Sequence, residues 1–203
     1  MENNLLFALT LFAFVMSVTP GPNNIMLLSS GAQFGYKRTL PHIAGILIGV
    51  ALLLTTVLLG FGAIFQFYPA LYQVLQVIGC IYLLWLSWKI ATAPTDSSLT
   101  NAANNSAQPM SIISAVTFQF VNPKAWAMGI GSVTTFTIAG EQYLTSGLWI
   151  ISCFAVMGFI AISLWAGLGV AISRYLTSRN RKKYFNYVMG LLTAATVFLI
   201  IST

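Results

Sequence analysis

Two short stretches could hold a small anion. The first is Thr19-Pro20-Gly21-Pro22-Asn23-Asn24, which interrupts an apolar run from Leu5 to about Ala32. Proline lacks a backbone donor and clashes with the preceding turn, and glycine loosens what remains, so a straight helix cannot pass through. Gly21-Pro22 reads as the start of a second half-helix, because proline suits the first helical position. The second stretch is Gln119-Phe120-Val121-Asn122-Pro123-Lys124, where Asn122 is a natural N-cap and Pro123 the first helical residue. Each new helix start carries free N–H groups and roughly half a positive charge, an arrangement that suits a carboxylate. Lys124 adds a full charge. At mid-membrane such a residue costs about 2.5–3.5 kcal/mol on insertion scales, so it carries a functional hypothesis. It completes an anion site or carries a proton; the plainer alternative is that it bonds carbonyls freed by the first break. The plainer reading of the prolines is that they are packing kinks.

What is missing narrows the chemistry. Glu2, Asp96 and Glu141 all lie in loops or at an end. No buried acid is available for a cationic substrate, an aspartyl protease pair or a carboxylate proton relay. An ammonium would have to be met by carbonyls, by Asn23, Asn24, Gln119 or Asn122, or by aromatic faces. The predicted substrate site is therefore Pro20, Gly21, Pro22, Asn23, Asn24, Gln119, Asn122, Pro123 and Lys124, and its cargo is neutral overall. No catalytic residues, cofactor or metal site is expected: Cys80 and Cys153 have no CxxC partner and no metal-ligand spacing. His42, after Pro41, reads as a surface residue at an interface rather than a proton carrier.

The elements that must position these residues are membrane helices. The chain has 203 residues, 58% hydrophobic and only 6% charged, against roughly 25% charged in soluble domains. Six apolar stretches can be drawn, each long enough for the about 20 residues that cross a bilayer: Leu5–Ala32, Leu40–Phe67, Pro69–Ala91, Met110–Ala139, Tyr143–Ile172 and Tyr184–Ile201. The N-terminus, Met1-Glu2-Asn3-Asn4, has no basic n-region, so the first span is expected to stay in the mature protein. The net charge of +6 could suggest nucleic acid, but its distribution does not. Lys37, Arg38, Lys89, Arg174, Arg179, Arg181, Lys182 and Lys183 fall on one side of a six-span arrangement, the positive-inside bias. Lys89, beside Trp85 and Trp88, reads as an interfacial anchor. Both termini are then expected outside, and membrane lipids are the expected surroundings. The 174–183 cluster could also bind anionic head groups.

The polar segment Thr92–Pro109 divides the chain into 1–91, a cytoplasmic linker 92–109, and 110–203. Three spans per half is an odd number, so the halves enter the membrane in opposite directions. Pro22 and Pro123 sit about half a chain apart. The expected fold is all-α and integral to the membrane: six transmembrane helices as two inverted three-helix repeats, each with a broken first helix, a pointer to a site at mid-membrane. Gly45-Ile46-Leu47-Ile48-Gly49 allows close helix approach and fits internal packing and a homodimer equally well.

In this order and spacing, Thr19-Pro20-Gly21-Pro22-Asn23-Asn24, Tyr82-Leu83-Leu84-Trp85-Leu86-Ser87-Trp88-Lys89 and Phe120-Val121-Asn122-Pro123-Lys124-Ala125 resemble the LysE/RhtB family of amino-acid exporters. The resemblance covers essentially the whole chain. The runs Trp88–Thr95 and Pro22–Ser30 look most like the cysteine and O-acetylserine exporter branch. This implies a six-span bacterial inner-membrane protein, energised by the proton motive force, that moves amino acids outward. Many members carry an Asp in span two where this chain has Leu52, which puts carboxylate coupling in doubt here. The function expected is export of small neutral amino acids by proton antiport. The competing expectations are a passive amino-acid channel and a transmembrane thiol–disulfide carrier, which would need Cys80 and Cys153 face to face near the breaks.

Overall fold

A computed structural model describes residues 3–94 and 108–201; most of the 92–109 linker therefore lies outside the described residues. Everything regular among them is helical. Both prolines act as expected. The first apolar stretch is split into α1, Asn3–Val18, and α2, Pro22–Phe34, which meet at 61°. The fourth is split into α6, Ile112–Val121, and α7, Pro123–Phe136. Helix α5, Pro69–Ala91, has the bounds read from sequence, and α8, Tyr143–Ser173, runs one residue further.

The second and the last stretch differ most. The second stretch was drawn to Phe67, but α3 covers Tyr36–Leu58. Gly60, at φ +92°, then turns the chain through a 3-10 turn, Phe61–Ala63, into a short α4, Ile64–Phe67. Only glycine adopts that left-handed conformation at little cost. The last helix, α9, begins at Arg179 rather than Tyr184 and ends at Ile201, so the basic run forms its first turns.

Among the described residues α3, α5 and α8 are each long and apolar enough to cross a membrane, and α1 with α2 makes a fourth crossing if taken as one bent span. The exterior is apolar in the way lipid requires: Phe7, Ile81, Trp88 and Leu148 stand 63–70% exposed. Such a surface in water would be a large aggregation-prone patch.

Helix pairs approach through small residues. Along α3, a Cβ on Gly45 would lie 2.6 Å from the Ile112 carbonyl, and one on Gly49 3.0 Å from Val116, so α3 and α6 run side by side in the same direction. The GxxxG is therefore occupied inside this chain, which removes it as a free dimer motif. Gly31 and Gly169 bring α2 and α8 together in the same way, against Ala166 and Leu28. Helices α3 and α8 are antiparallel: Tyr143 Oη donates to Leu58 O at 2.7 Å near one end, and Tyr36 Oη to Ser163 Oγ at 2.9 Å near the other. Helices α5 and α9 are antiparallel too, with Ser87 Oγ donating to Gly190 O at 2.8 Å and Gln76 reaching Ile200. One apolar cluster, including Leu9, Leu53, Leu54, Phe136 and Phe154, fills one end of the bundle. A smaller one, Leu27, Ile43, Ile46, Ala115, Ile162 and Ala166, fills the middle of the other.

Candidate functional site

Each break frees backbone carbonyls, and each in hydrocarbon would cost several kcal/mol if left alone. At the first break Pro22 cannot supply the N–H that Val18 O would receive in a continuous helix; Trp165 Nε1 of α8 donates to it instead at 3.0 Å. Asn24 Nδ2 serves Ser17 O at 2.9 Å and Thr19 O at 2.8 Å. Lys124 Nζ reaches across from α7 to Thr19 O at 2.9 Å, Thr19 Oγ1 at 3.0 Å and Pro20 O at 3.4 Å. At the second break Trp126 Nε1 donates to Phe120 O at 2.9 Å. Asn122 caps α7, its Oδ1 accepting from Lys124 N at 3.1 Å. The first turn of α2 has no side-chain cap.

The two breaks are tied to each other. Asn23 Nδ2 donates to Gln119 Oε1 at 2.8 Å, and Gln119 Nε2 donates back to Asn23 Oδ1 at 3.3 Å and to Ala115 O at 2.9 Å. Lys124 forms the second tie. Its stem lies over Gly21, where a Cβ would come within 3.0 Å of Nζ and 3.1 Å of Cδ. Gly21 has φ −170°, an extended backbone open to any residue. It is the closeness of the lysine that a side chain would disturb.

These groups border a cavity of about 60 Å³. Gly21, Pro22, Asn23, Asn24, Gln119, Asn122 and Lys124 line it, and Lys124 is its one charged lining residue. Pro20 and Pro123 frame the breaks without lining the cavity. The sequence reading did not include the other wall: Met16, Ser17, Ile46, Leu47, Val50, Ala125, Met128, Phe154, Gly158 and Ile162. The cavity lining therefore mixes amides and an ammonium from the two breaks with a larger share of apolar side chains. A zwitterion with a small side chain combines the same kinds of group.

Thr19, which opens the first motif but was not named among the site residues, and Trp165, which was not singled out from sequence, both bond at this site. Trp165 could have been suspected, since an indole N–H within a span needs a partner. His42 requires a correction. The sequence placed it at a surface; the structure leaves it 2% exposed on α3. Neither ring nitrogen has a hydrogen-bond partner among the described residues. Such an orphan polar group costs about 1–3 kcal/mol. The cysteines lie apart from the cavity and in different surroundings, Cys80 beside Leu83 and Phe118, Cys153 against the Phe136–Phe154 cluster. Among the described residues no group of three His, Cys, Asp or Glu could hold a metal ion.

A family model described as LysE type translocator matches residues 14–202. The chain is 32% identical over 193 residues to the cysteine/O-acetylserine efflux protein of Salmonella typhimurium strain LT2, covering 93% of each. It is 31% identical over 195 residues to the protein of that name in Escherichia coli K12, covering 95% of each. No solved structure matches the chain.

Proposed function

The chain belongs to the LysE type translocator family, and we propose that it exports small neutral amino acids, cysteine or O-acetylserine among them, from the bacterial cytoplasm by proton antiport. The family and the efflux relatives mark it as a membrane transporter of amino acids and not an enzyme. The observation that carries the finer reading is the cavity at the junction of both helix breaks, lined by Lys124, Gln119 and three asparagines among apolar side chains, with no acid among its lining residues. The cargo carboxylate would exchange with Thr19 and Pro20 for the Lys124 ammonium and for the uncapped start of α2. The cargo ammonium would meet amide oxygens of Asn23 or Gln119, and its side chain the wall around Ile46, Met128 and Phe154.

The inverted-repeat reading, with 1–91 and 110–203 as the two halves and 92–109 between them, is supported by how the helices pair. α1 lies against α8, and α6 against α3, while α3 pairs with α8 and α5 with α9. Exchanging the halves maps this set of pairs onto itself. On this reading α6 with α7 and α9 complete six spans, both termini face outward, and the basic residues face cytoplasm and lipid head groups in the inner membrane.

The test is efflux. Inverted vesicles carrying the protein should take up labelled cysteine or O-acetylserine, and a pH gradient should accelerate it. Counterflow of unlabelled against labelled cargo distinguishes a carrier from a channel. Wild-type rates in Asn122→Ala, Lys124→Met and Pro22→Ala alike would place the cargo elsewhere.

A further inference from the structure

A proton antiporter needs a group inside the bundle that gains and loses a proton, and among the described residues no carboxylate lies in α1 to α9. We propose that His42 is the proton-binding group of the transport cycle, standing one helical turn from the cargo cavity and outside the cargo site. The inference rests on the antiport reading above.

Two independent features support it. His42 is buried to 2% exposure with both nitrogens unpartnered among the described residues, a state that a structural role does not reward, since an apolar side chain would fill the same space without orphan donors. It also shares a helix face with Ile46, four residues on, which lines the cavity. Three residues before it, Thr39 Oγ1 lies 2.9 Å from Ser30 Oγ and donates to Gly35 O. His42 and the Ser30–Thr39 pair thus lie between the Ile46 part of the cavity wall and the end of α3 that carries Lys37 and Arg38. Pro41, inside α3, removes the N–H that Lys37 O would receive in an unbroken helix, so the backbone beside His42 is the part of α3 least held by its own ladder.

The charges around it all have one sign. Helices α2 and α6, packed against α3, contribute no acid or base. Helix α8 contributes Tyr143 and Cys153, toward the far end from Tyr36. Helix α7 contributes Lys124 at the cavity, and α3 itself Tyr36, Lys37 and Arg38. Among the described residues a proton on His42 therefore has no counter-charge beside it, and opening on the Lys37 side would bring water to it. Binding a proton from the outward-open cavity at a free ring nitrogen would then drive opening toward the cytoplasm, where the proton passes to water. That is the return step an antiporter has to power.

Purified full-length protein in liposomes, with labelled O-acetylserine as the probe, gives the test. Counterflow and pH-gradient-driven uptake are measured for wild type, His42→Gln and His42→Leu. The expected result is that His42→Gln still exchanges cargo, with the pH dependence of exchange gone, and that gradient stimulation is lost in both variants. Retained gradient stimulation in His42→Gln overturns the assignment. Loss of exchange in both variants, with wild-type melting temperatures, makes His42 a part of the cargo path and also overturns it. A wild type that exchanges but ignores the gradient removes antiport and this inference together; a wild type that does not exchange at all removes the carrier reading itself.

Discussion

Lys124 has three ammonium hydrogens and, in this state, three oxygen neighbours: Thr19 O, Thr19 Oγ1 and Pro20 O. Both sequence readings of the residue meet here, because the bonds that stabilise the broken helix are the ones a carboxylate would have to displace. Replacing Lys124 with Met keeps the stem over Gly21 and removes the donors. Thr19 O retains Asn24, so a small drop in melting temperature is expected, on the order of one lost hydrogen bond, about 1 kcal/mol, with loss of efflux. Gly21→Ala is the complementary variant. The new Cβ meets the end of a flexible side chain, so the lysine swings away, the protein stays folded in a detergent melt, and transport falls. Lysine at this depth was legible in the sequence as the one charge that falls near mid-membrane. Its partners were not, because they come from the break between α1 and α2, more than a hundred residues earlier in the chain. His42 was misjudged for a related reason. The drawn span began at Leu40, which left His42 at an edge, whereas α3 begins at Tyr36 and neighbouring helices cover the ring.

At the scale of elements, the glycines divide by what surrounds them. Gly31, Gly45 and Gly169 each face backbone atoms closer than a Cβ can come. Gly31→Ala would put a methyl 2.1 Å from Ala166 O, forcing α2 from α8; the prediction is a large loss of thermal stability and of membrane-inserted protein. Gly158 lies in the cavity wall, and a Cβ there would meet Leu47 Cδ2 at 3.6 Å and Ser17 Oγ at 3.7 Å, ordinary contact distances. Gly158→Ala should therefore fold normally and reduce the space left for cargo. In competition assays, bulky neutral amino acids should lose inhibition more than alanine- or serine-sized ones; an equal loss for all sizes would exclude Gly158 as the size filter. The prolines made the broken helices readable from sequence, since the lost N–H is a property of the residue itself. The turn at Gly60 was not readable, because Leu58-Leu59-Gly60-Phe61-Gly62 is as apolar as the helix before it and only the backbone angle ends α3.

Across the whole molecule the cavity lies between two unequal apolar plugs. Toward the α1 start, the Phe12 ring meets Phe136 tilted and Phe154 edge-on, at 5.4 and 6.3 Å between ring centres, an aromatic cluster backed by Leu9 and Leu53. Toward the other end the seal is aliphatic, with the Ser30–Thr39 hydroxyl pair and His42 nearby. Alternating access requires these plugs to lie on opposite membrane faces, and α8 makes that arrangement testable. Its 31 residues, at about 1.5 Å each, span about 46 Å, more than the about 30 Å hydrocarbon core. The turn at Gly140–Gln142 and the basic loop after Ser173 must therefore emerge on different sides. In a Cys80→Ser, Cys153→Ser background, which should transport normally and so dispose of thiol chemistry, a single Gln142→Cys should react with an impermeant thiol reagent from the periplasmic face only. Ser178→Cys should react from the cytoplasmic face only, because Arg174, Arg179 and Arg181 flank it and loops rich in arginine stay inside. The reversed pattern would turn the molecule over and, with it, make the aliphatic plug beside His42 the outer gate. Labelling of both from one face would break the inverted arrangement, and with it the reason for two helix breaks to meet at one cargo site.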